Sequence, residues 1–173
     1  VGSEMCIRDS PNIVGILSAG AAVTMGHTVH LKALLHSYLG GQAGAGAIFD
    51  LLTGRANPSG KLAETYPIRG EDGPEYHYYP AKEKASEYRE GIFVGYRYYD
   101  TTDTKVHFPF GYGLSYTEFQ YSALEVTEEG VRFRITNTGE RDGAEIAQLY
   151  IGLPDSKIFR AKKELKGFSK VFL

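Results

Sequence analysis

Tryptophan is absent from this 173-residue chain, cysteine occurs once and methionine twice. The lone Cys6 excludes an internal disulfide and leaves the redox compartment open. No run of about 18 apolar residues occurs, so no transmembrane helix is expected. Charge of one sign is not in excess: 19 Lys and Arg against 21 Asp and Glu leave a net charge of −2. Neither nucleic acid nor an anionic membrane is therefore expected as a partner. The first ten residues, VGSEMCIRDS, have neither the basic head nor the apolar core of a signal peptide. They resemble translated adapter sequence at the end of a gene model. Residues 1–10 are thus expected to be non-native, with the native chain starting upstream of Pro11, and localisation is left unassigned.

What is present is ordinary in bulk, with 42% hydrophobic and 23% charged residues, the balance of a globular protein with room for one full domain or two small ones. The distribution is less ordinary. Most of the 13 tyrosines lie between 76 and 121, and the stretch Arg89 to Tyr116 (REGIFVGYRYYDTTDTKVHFPFGYGLSY) interleaves aromatics with Gly91, Gly95, Gly111 and Gly113. Glycines let the backbone turn sharply, while large aromatics need a surface to lie on. The stretch reads as a strap packed across a neighbouring domain.

Before the strap, the pattern is α/β. Ile13 to Leu17 is a short apolar run that suits a strand buried on both faces of a parallel sheet. Ala33 to Leu39 reads as a second strand, ended by Gly40-Gly41. Gln42 to Thr53 predicts a helix, with Gly54 as its C-terminal cap and small residues at 43, 44 and 46 allowing close backbone approach. Leu62 to Tyr66 predicts a third strand, reached by a right-handed crossover in a parallel sheet. Residues 69–90 form a long charged loop, a length that is usually functional.

After Tyr121 the texture becomes β. Residues 122–127, 131–136 and 144–151 read as short strands. Val131, Phe133 and Ile135 alternate with polar neighbours, as do Ala147, Leu149 and Ile151. A β-sandwich of this kind needs about seven strands in roughly 100 residues. The expectation is a sandwich cut short at Leu173, with an open apolar face at Phe133, Ile135, Leu149 and Ile151.

Several chemistries fail on spacing. Gly41, Gly44 and Gly46 run in the reverse order of a dinucleotide fingerprint, and Gly60-Lys61 lacks both the upstream glycine and the following hydroxyl of a P-loop. Tight backbone packing is the expected role of the glycine run. The five histidines do not cluster at ligand spacing with one another or with Cys6, so no metal site is predicted. Gly113-Leu114-Ser115-Tyr116-Thr117 is not a nucleophile elbow. Carboxylates are plentiful in the long loop, and glycoside chemistry needs a pair of them across the scissile bond. Glu90, beside Tyr88, is the most suggestive, with an anchor for Arg89 or Arg97 as the plainer role. The tyrosines suit stacking on sugar rings or packing at a domain interface.

Three motifs then carry a family. GRANPSGKL (residues 54–62), YREGIFVGYRYYD (88–100) and FPFGYGLSYT (108–117) closely resemble family 3 glycoside hydrolases of the β-glucosidase type. Asn137-Thr138-Gly139, Gln148-Leu149-Tyr150 and KELKGF (163–168) resemble the start of the fibronectin type III-like domain that ends those enzymes. Met25-Gly26-His27 departs from the family, which usually has Pro-Trp after this Met. The resemblance implies that residues 11–120 are the C-terminal part of an α/β sandwich domain and 121–173 the beginning of the fibronectin-like domain. It also implies a parent that hydrolyses terminal β-linked sugars with retention, without metal or cofactor, through a barrel-borne Asp and a Glu ahead of Pro11. Neither catalytic carboxylate then falls in this chain, and Tyr88 and Glu90 are expected only near the substrate. The implied partners are an oligosaccharide or β-glucoside and the N-terminal barrel in cis. A non-catalytic carbohydrate-binding or adhesion module is the alternative.

Overall fold

The structure, a computed structural model, describes residues 12–26, 28–80 and 84–173. The decapeptide 1–10, Pro11 and His27, and Glu83 among the carboxylates of the long loop, lie outside the described residues. An α/β part is followed by an all-β part.

Strand β1 (Val14–Leu17) pairs in parallel with β2 (Ala33–His36), Val14 opposite Ala33 and Leu17 opposite His36. Glycine at residue 15 lets Leu31 and Leu34 lie close over the strand, since a Cβ there would lie 2.6 Å from Leu31 Cδ1 and 3.1 Å from Leu34 Cδ1 and those methyls would have to shift. Burial on both faces is not what this chain provides, however. Leu31 and Leu34 cover one face, while Val14 and Ile16 on the other remain about half exposed.

Helix α1 (Gly44–Leu52) follows, and Gly54 takes a φ of +73° just beyond its last turn, the left-handed conformation that favours glycine at a helix end. The close-packing role expected of Gly41, Gly44 and Gly46 is not realised. A Cβ at any of the three would meet nothing described within 4 Å, and only Gly40 approaches backbone, at Gly44 Cα. Small size in a helix-forming run does not by itself imply a neighbour.

The third predicted strand is also corrected. Residues 62–67 do not extend the parallel sheet. Instead β3 (Tyr66–Pro67) pairs antiparallel with β4 (Val106–Phe108). Leu62 and Gly111–Tyr112 continue the same exchange, with Leu62 N–H donating to Tyr112 O and Gly111 N–H to Leu62 O, both at 2.8 Å. The link back to β2 is made by side chains. The Tyr66 hydroxyl lies 3.0 Å from His36 Nδ1, and the Tyr38 hydroxyl accepts from Ala63 N–H at 3.2 Å. Tyr66 is fully buried by this arrangement.

Between β3 and β4 the strap contributes a short helix, α2 (Tyr96–Thr101), entered through Gly95 at φ +53°. The all-β part is two antiparallel pairs. β5 (Phe119–Thr127) pairs with β6 (Gly130–Asn137), and β7 (Ala144–Ile151) with β8 (Glu164–Phe172). Of the open apolar face expected at Phe133, Ile135, Leu149 and Ile151, Phe133 and Ile151 are about half exposed while Ile135 and Leu149 are partly covered; Leu124, Val126, Phe168 and Phe172 are the more exposed apolar side chains of this part. β8 escaped prediction because Leu165, Phe168 and Val171 recur every third residue, which obscures the alternation of a strand.

Candidate functional site

The loop that holds the two predicted site residues begins with a charged clamp. The Arg69 backbone N–H and guanidinium both donate to the Asp72 carboxylate, at 3.1 and 2.7 Å, across the 3-10 turn Gly70–Asp72. The guanidinium beside it holds the Asp72 carboxyl below its ordinary range. Beyond the clamp, Tyr78 and Tyr79 N–H groups both turn back onto Glu75 O. The returning arm touches this turn where the Arg89 guanidinium lies over the Tyr78 ring, 5.1 Å from its centre.

Tyr88 and Glu90 flank Arg89 on that arm. Tyr88 is 83% exposed and Glu90 half-buried, its carbonyl accepting from Phe93 N–H at 2.9 Å. The ion pair expected between Glu90 and Arg89 is not the one formed. Arg89 pairs with Glu87, two residues earlier. Tyr76, Tyr78 and Tyr79 are exposed on the same loop. Among the described residues, no group of three or more His, Cys, Asp or Glu side chains is placed to hold a metal ion.

The strap does what its composition predicts. Tyr96 stacks on Phe110 (ring centres 4.9 Å apart, planes at 26°), meets Tyr150 of β7 edge-on, and accepts the Leu165 N–H of β8 on its hydroxyl at 2.8 Å. Phe93 packs on Phe159 at 4.9 Å. Lys162 and Lys163, entering β8, pair with Asp103 and Asp100 at the end of α2. Gly111 is held by its backbone and lies close to Gln148. Its φ is +78°, and a Cβ would fall 2.1 Å from the Oε1 of Gln148, whose amide donates to Gly111 O.

A second junction was not read from the sequence at all. Asn57, in GRANPSGKL, accepts on Oδ1 from the Ser115 hydroxyl (2.9 Å) and Tyr116 N–H (2.8 Å), and donates through Nδ2 to Asp142 O (3.1 Å). Four residues on, Lys61 Nζ donates to Gly113 O at 2.9 Å and lies 3.0 Å from Glu145 Oε2 on β7. Both side chains of this ion pair are nearly buried, 15% and 13% exposed, and Tyr121 of β5 donates to the other Glu145 oxygen. Gly113 lets the two segments meet here, since a Cβ would lie 2.4 Å from Gly60 O. The motifs that looked most like a signature thus build the joint between the two parts. The only hint in the sequence was that Asn57, Lys61, Gly113 and Ser115 sat inside the quoted motifs.

Desolvation in this joint and beneath the strap, only partial at the half-exposed Tyr121, leaves a mark on ionisation. Tyr66, Tyr99 and Tyr121 are each pushed up to about 12 from the ordinary value near 10, by desolvation first. Nearby carboxylates add to it: Glu64 for Tyr66, Glu75 for Tyr99 and Glu145 for Tyr121. Above pH 10 the unfolded chain releases protons that the folded chain keeps, so stability falls as pH rises from about 10 to about 12 and is unaffected by these groups below that window. The melting temperature, followed with tyrosinate absorbance, is expected to drop through this window, with the absorbance rising at unfolding. Ionisation of all tyrosines near 10 with no loss of structure is the contrary result.

An α/β segment bound through an aromatic strap to a fibronectin-like β segment is the class of molecule that this fold and joint define. Residues 4–116 match the glycosyl hydrolase family 3 C-terminal domain, and residues 145–173 the fibronectin type III-like domain. The chain belongs to glycosyl hydrolase family 3. It is 47% identical over 170 residues to thermostable β-glucosidase B of Acetivibrio thermocellus, covering 94% of this chain and 22% of the relative. It is 42% identical to an exo-α-(1→6)-L-arabinopyranosidase of Bifidobacterium breve, over 98% of this chain and 23% of that protein. Among solved structures it resembles a Bifidobacterium adolescentis family 3 β-glucosidase with a TM-score of 0.94 at 42% identity, over 98% of this chain and 26% of that one. It also resembles β-glucosidase 3B of Thermotoga neapolitana in complex with glucose, TM-score 0.87 at 40% identity, over 92% and 24%. The chain therefore spans about a quarter or less of the proteins it matches.

Proposed function

We propose that this chain is part of a retaining, exo-acting glycoside hydrolase of β-glucosidase type that removes terminal β-linked sugars. The observation that carries this reading is the 47% identity, across nearly the whole chain, to a protein named as a β-glucosidase. The reaction passes through a glycosyl-enzyme intermediate and needs two carboxylates about 5–5.5 Å apart. Both lie outside these residues in this reading, the nucleophile on an N-terminal barrel in cis. Residues 11–120 then complete the α/β sandwich domain and residues 121–173 begin the fibronectin-like domain. The two long antiparallel strand pairs that begin at Phe119 support that division. Tyr88 and Glu90, where the 69–90 loop runs into the strap, border the substrate in this reading. The named activities of relatives include an arabinopyranosidase, so the sugar is given only as a β-glucoside or a similar terminal unit.

The test begins with the gene, read outward from both ends of this frame. A barrel with an Asp nucleophile upstream, and hydrolysis of an aryl β-glucoside by the whole product with the β-anomer released first, is the expected result. The 173-residue chain alone is expected to turn over none. Release of the α-anomer first overturns the retaining mechanism, and an upstream frame without a barrel overturns the assignment. The exposed Tyr76, Tyr78, Tyr79 and Tyr88 favour the second reading, a sugar-binding module. Saturable quenching of tyrosine fluorescence by cellobiose in the isolated chain, with no barrel upstream, is the outcome that selects it.

A further inference from the structure

The loop that leaves β1, residues 18–25, has little backbone hydrogen bonding of its own. Among the described residues, Ser18 to Thr24 make no bond to another backbone group, and Met25 O accepts one from Thr28 N–H. Side chains from elsewhere hold the loop instead. His36, at the end of β2, donates from Nε2 to Ala19 O at 3.2 Å, and Glu64, just ahead of β3, accepts the Ala22 N–H on Oε2 at 2.6 Å. Tyr66 backs the arrangement. It is fully buried, and His36 is the only hydrogen-bond partner of its hydroxyl among the described residues, nearer at Nδ1 (3.0 Å) than at Nε2 (3.3 Å). These contacts fix the proton positions. A carbonyl only accepts, so Nε2 carries the imidazole proton; Nδ1 is left to accept, and the Tyr66 hydroxyl donates to it.

The loop is clasped at a place that suits a ligand. β1 and β2 run parallel, and residues 18–25 leave the carboxyl end of β1. In open α/β sheets ligands gather outside the carboxyl ends of the strands. Tyr38, just beyond the same end of β2, takes a φ of +50°, and its ring lies against His36 with centres 3.8 Å apart. A tyrosine in the left-handed region is strained, and residues held so cluster at ligand sites. Around the anchored Ala19 and Ala22, the residues Ser18, Gly20, Ala21, Val23 and Thr24 are exposed, so the loop presents an open surface. We propose that loop 18–25 borders the sugar substrate in the whole enzyme, and that His36, Glu64 and Tyr66 are its positioning residues. The placement beside substrate rests on the catalytic reading above, whereas the clasp is a property of this chain alone. Its strongest link is the Ala22 N–H on Glu64, a bond to a carboxylate.

Two measurements separate the clasp from its use. In the 173-residue chain at mildly alkaline pH, the ring-nitrogen resonances of His36 are expected to show a proton on Nε2 and none on Nδ1. Ala22 is expected to be the slowest-exchanging amide of residues 19–24. A proton on Nδ1 overturns the clasp, as does an Ala22 amide that exchanges as fast as its neighbours. In the whole product of the gene, Glu64→Ala is expected to raise KM for an aryl β-glucoside about fivefold with kcat nearly unchanged, the loss of one net hydrogen bond from uniform binding. Glu64→Gln, which keeps an acceptor for the Ala22 N–H, is expected to recover most of that loss. Where Glu64→Ala does not fold, Tyr66→Phe, which keeps the buried ring, is read in the same way. A lower melting temperature with KM and kcat unchanged means that the clasp only stabilises the fold, and overturns the placement beside substrate. If the unsubstituted product hydrolyses no glucoside, the catalytic reading falls and the placement with it, while the resonance measurement fails only with the clasp.

Discussion

Asn57→Ala is expected to lower the stability of the chain by about 2–3 kcal/mol, seen as a fall in melting temperature of roughly 4–12 °C. The side chain makes three hydrogen bonds, two to Ser115 and Tyr116 and one to Asp142. Each contributes about 1 kcal/mol net, and truncation also strands the Tyr116 N–H and Asp142 carbonyl in a tight joint. Water satisfies part of that loss, because Asn57 is only half-buried, which keeps the total below the cost of three orphaned groups. Close packing reinforces the point: a Cβ on Gly143 would come 2.8 Å from Asn57 Nδ2. Asn57→Asp separates the two halves of the role. The acceptor remains and the donor to Asp142 is lost, so the expected cost is smaller, about 1 kcal/mol. Urea titration of both variants checks the order. Equal losses, or none for alanine, would remove Asn57 from the joint.

Lys61→Met is expected to cost more, about 3–5 kcal/mol, because it leaves a nearly buried carboxylate without its cation. Glu145 would keep only the Tyr121 hydroxyl, and the Gly113 carbonyl would lose its donor. Methionine fills similar volume, so the loss reads the charge and the hydrogen bond and not a void. Replacing both partners, Lys61→Met with Glu145→Leu, is expected to recover much of the loss, since burying two charges is itself expensive. A double-mutant cycle measures the coupling directly, with a large favourable term expected for groups 3.0 Å apart. Additive effects of the two substitutions would mean that solvent screens the pair and that the junction rests on packing alone.

Both residues were visible in the sequence, and neither was read for what it does. Gly60-Lys61 compares locally only with a phosphate loop, and Asn57 stands out only as part of GRANPSGKL, since local spacing offers only local motifs. Their partners lie 58 to 85 positions away for Asn57 and 52 to 84 away for Lys61, and no window along the chain contains them together. The same reason explains the error at residues 62–66. A short apolar strand shows that it will pair, but not with which edge or in which direction. Here the pairing with residues 106–112 places Tyr66 against His36 through side chains, a contact that period and propensity do not encode. At Glu90 the sequence offered two arginines as partners, and local geometry instead gave Arg89 to Glu87.

What the sequence determined by itself follows from short-range physics. Apolar run and alternation mark β1, β2 and β5–β7, helix formers ahead of Gly54 mark α1, and dense aromatics among glycines announce a strap that needs a surface. The quoted motifs also carried the family, because chemistry written contiguously survives in a single chain. Tertiary structure alone decided the direction of β3, the existence of β8, which glycines face a neighbour and which face open space, and the roles of Asn57 and Lys61. Those outcomes depend on groups brought within about 3 Å by folding, where hydrogen bonds and buried charges act, while hydrophobic periodicity acts from one residue to the next.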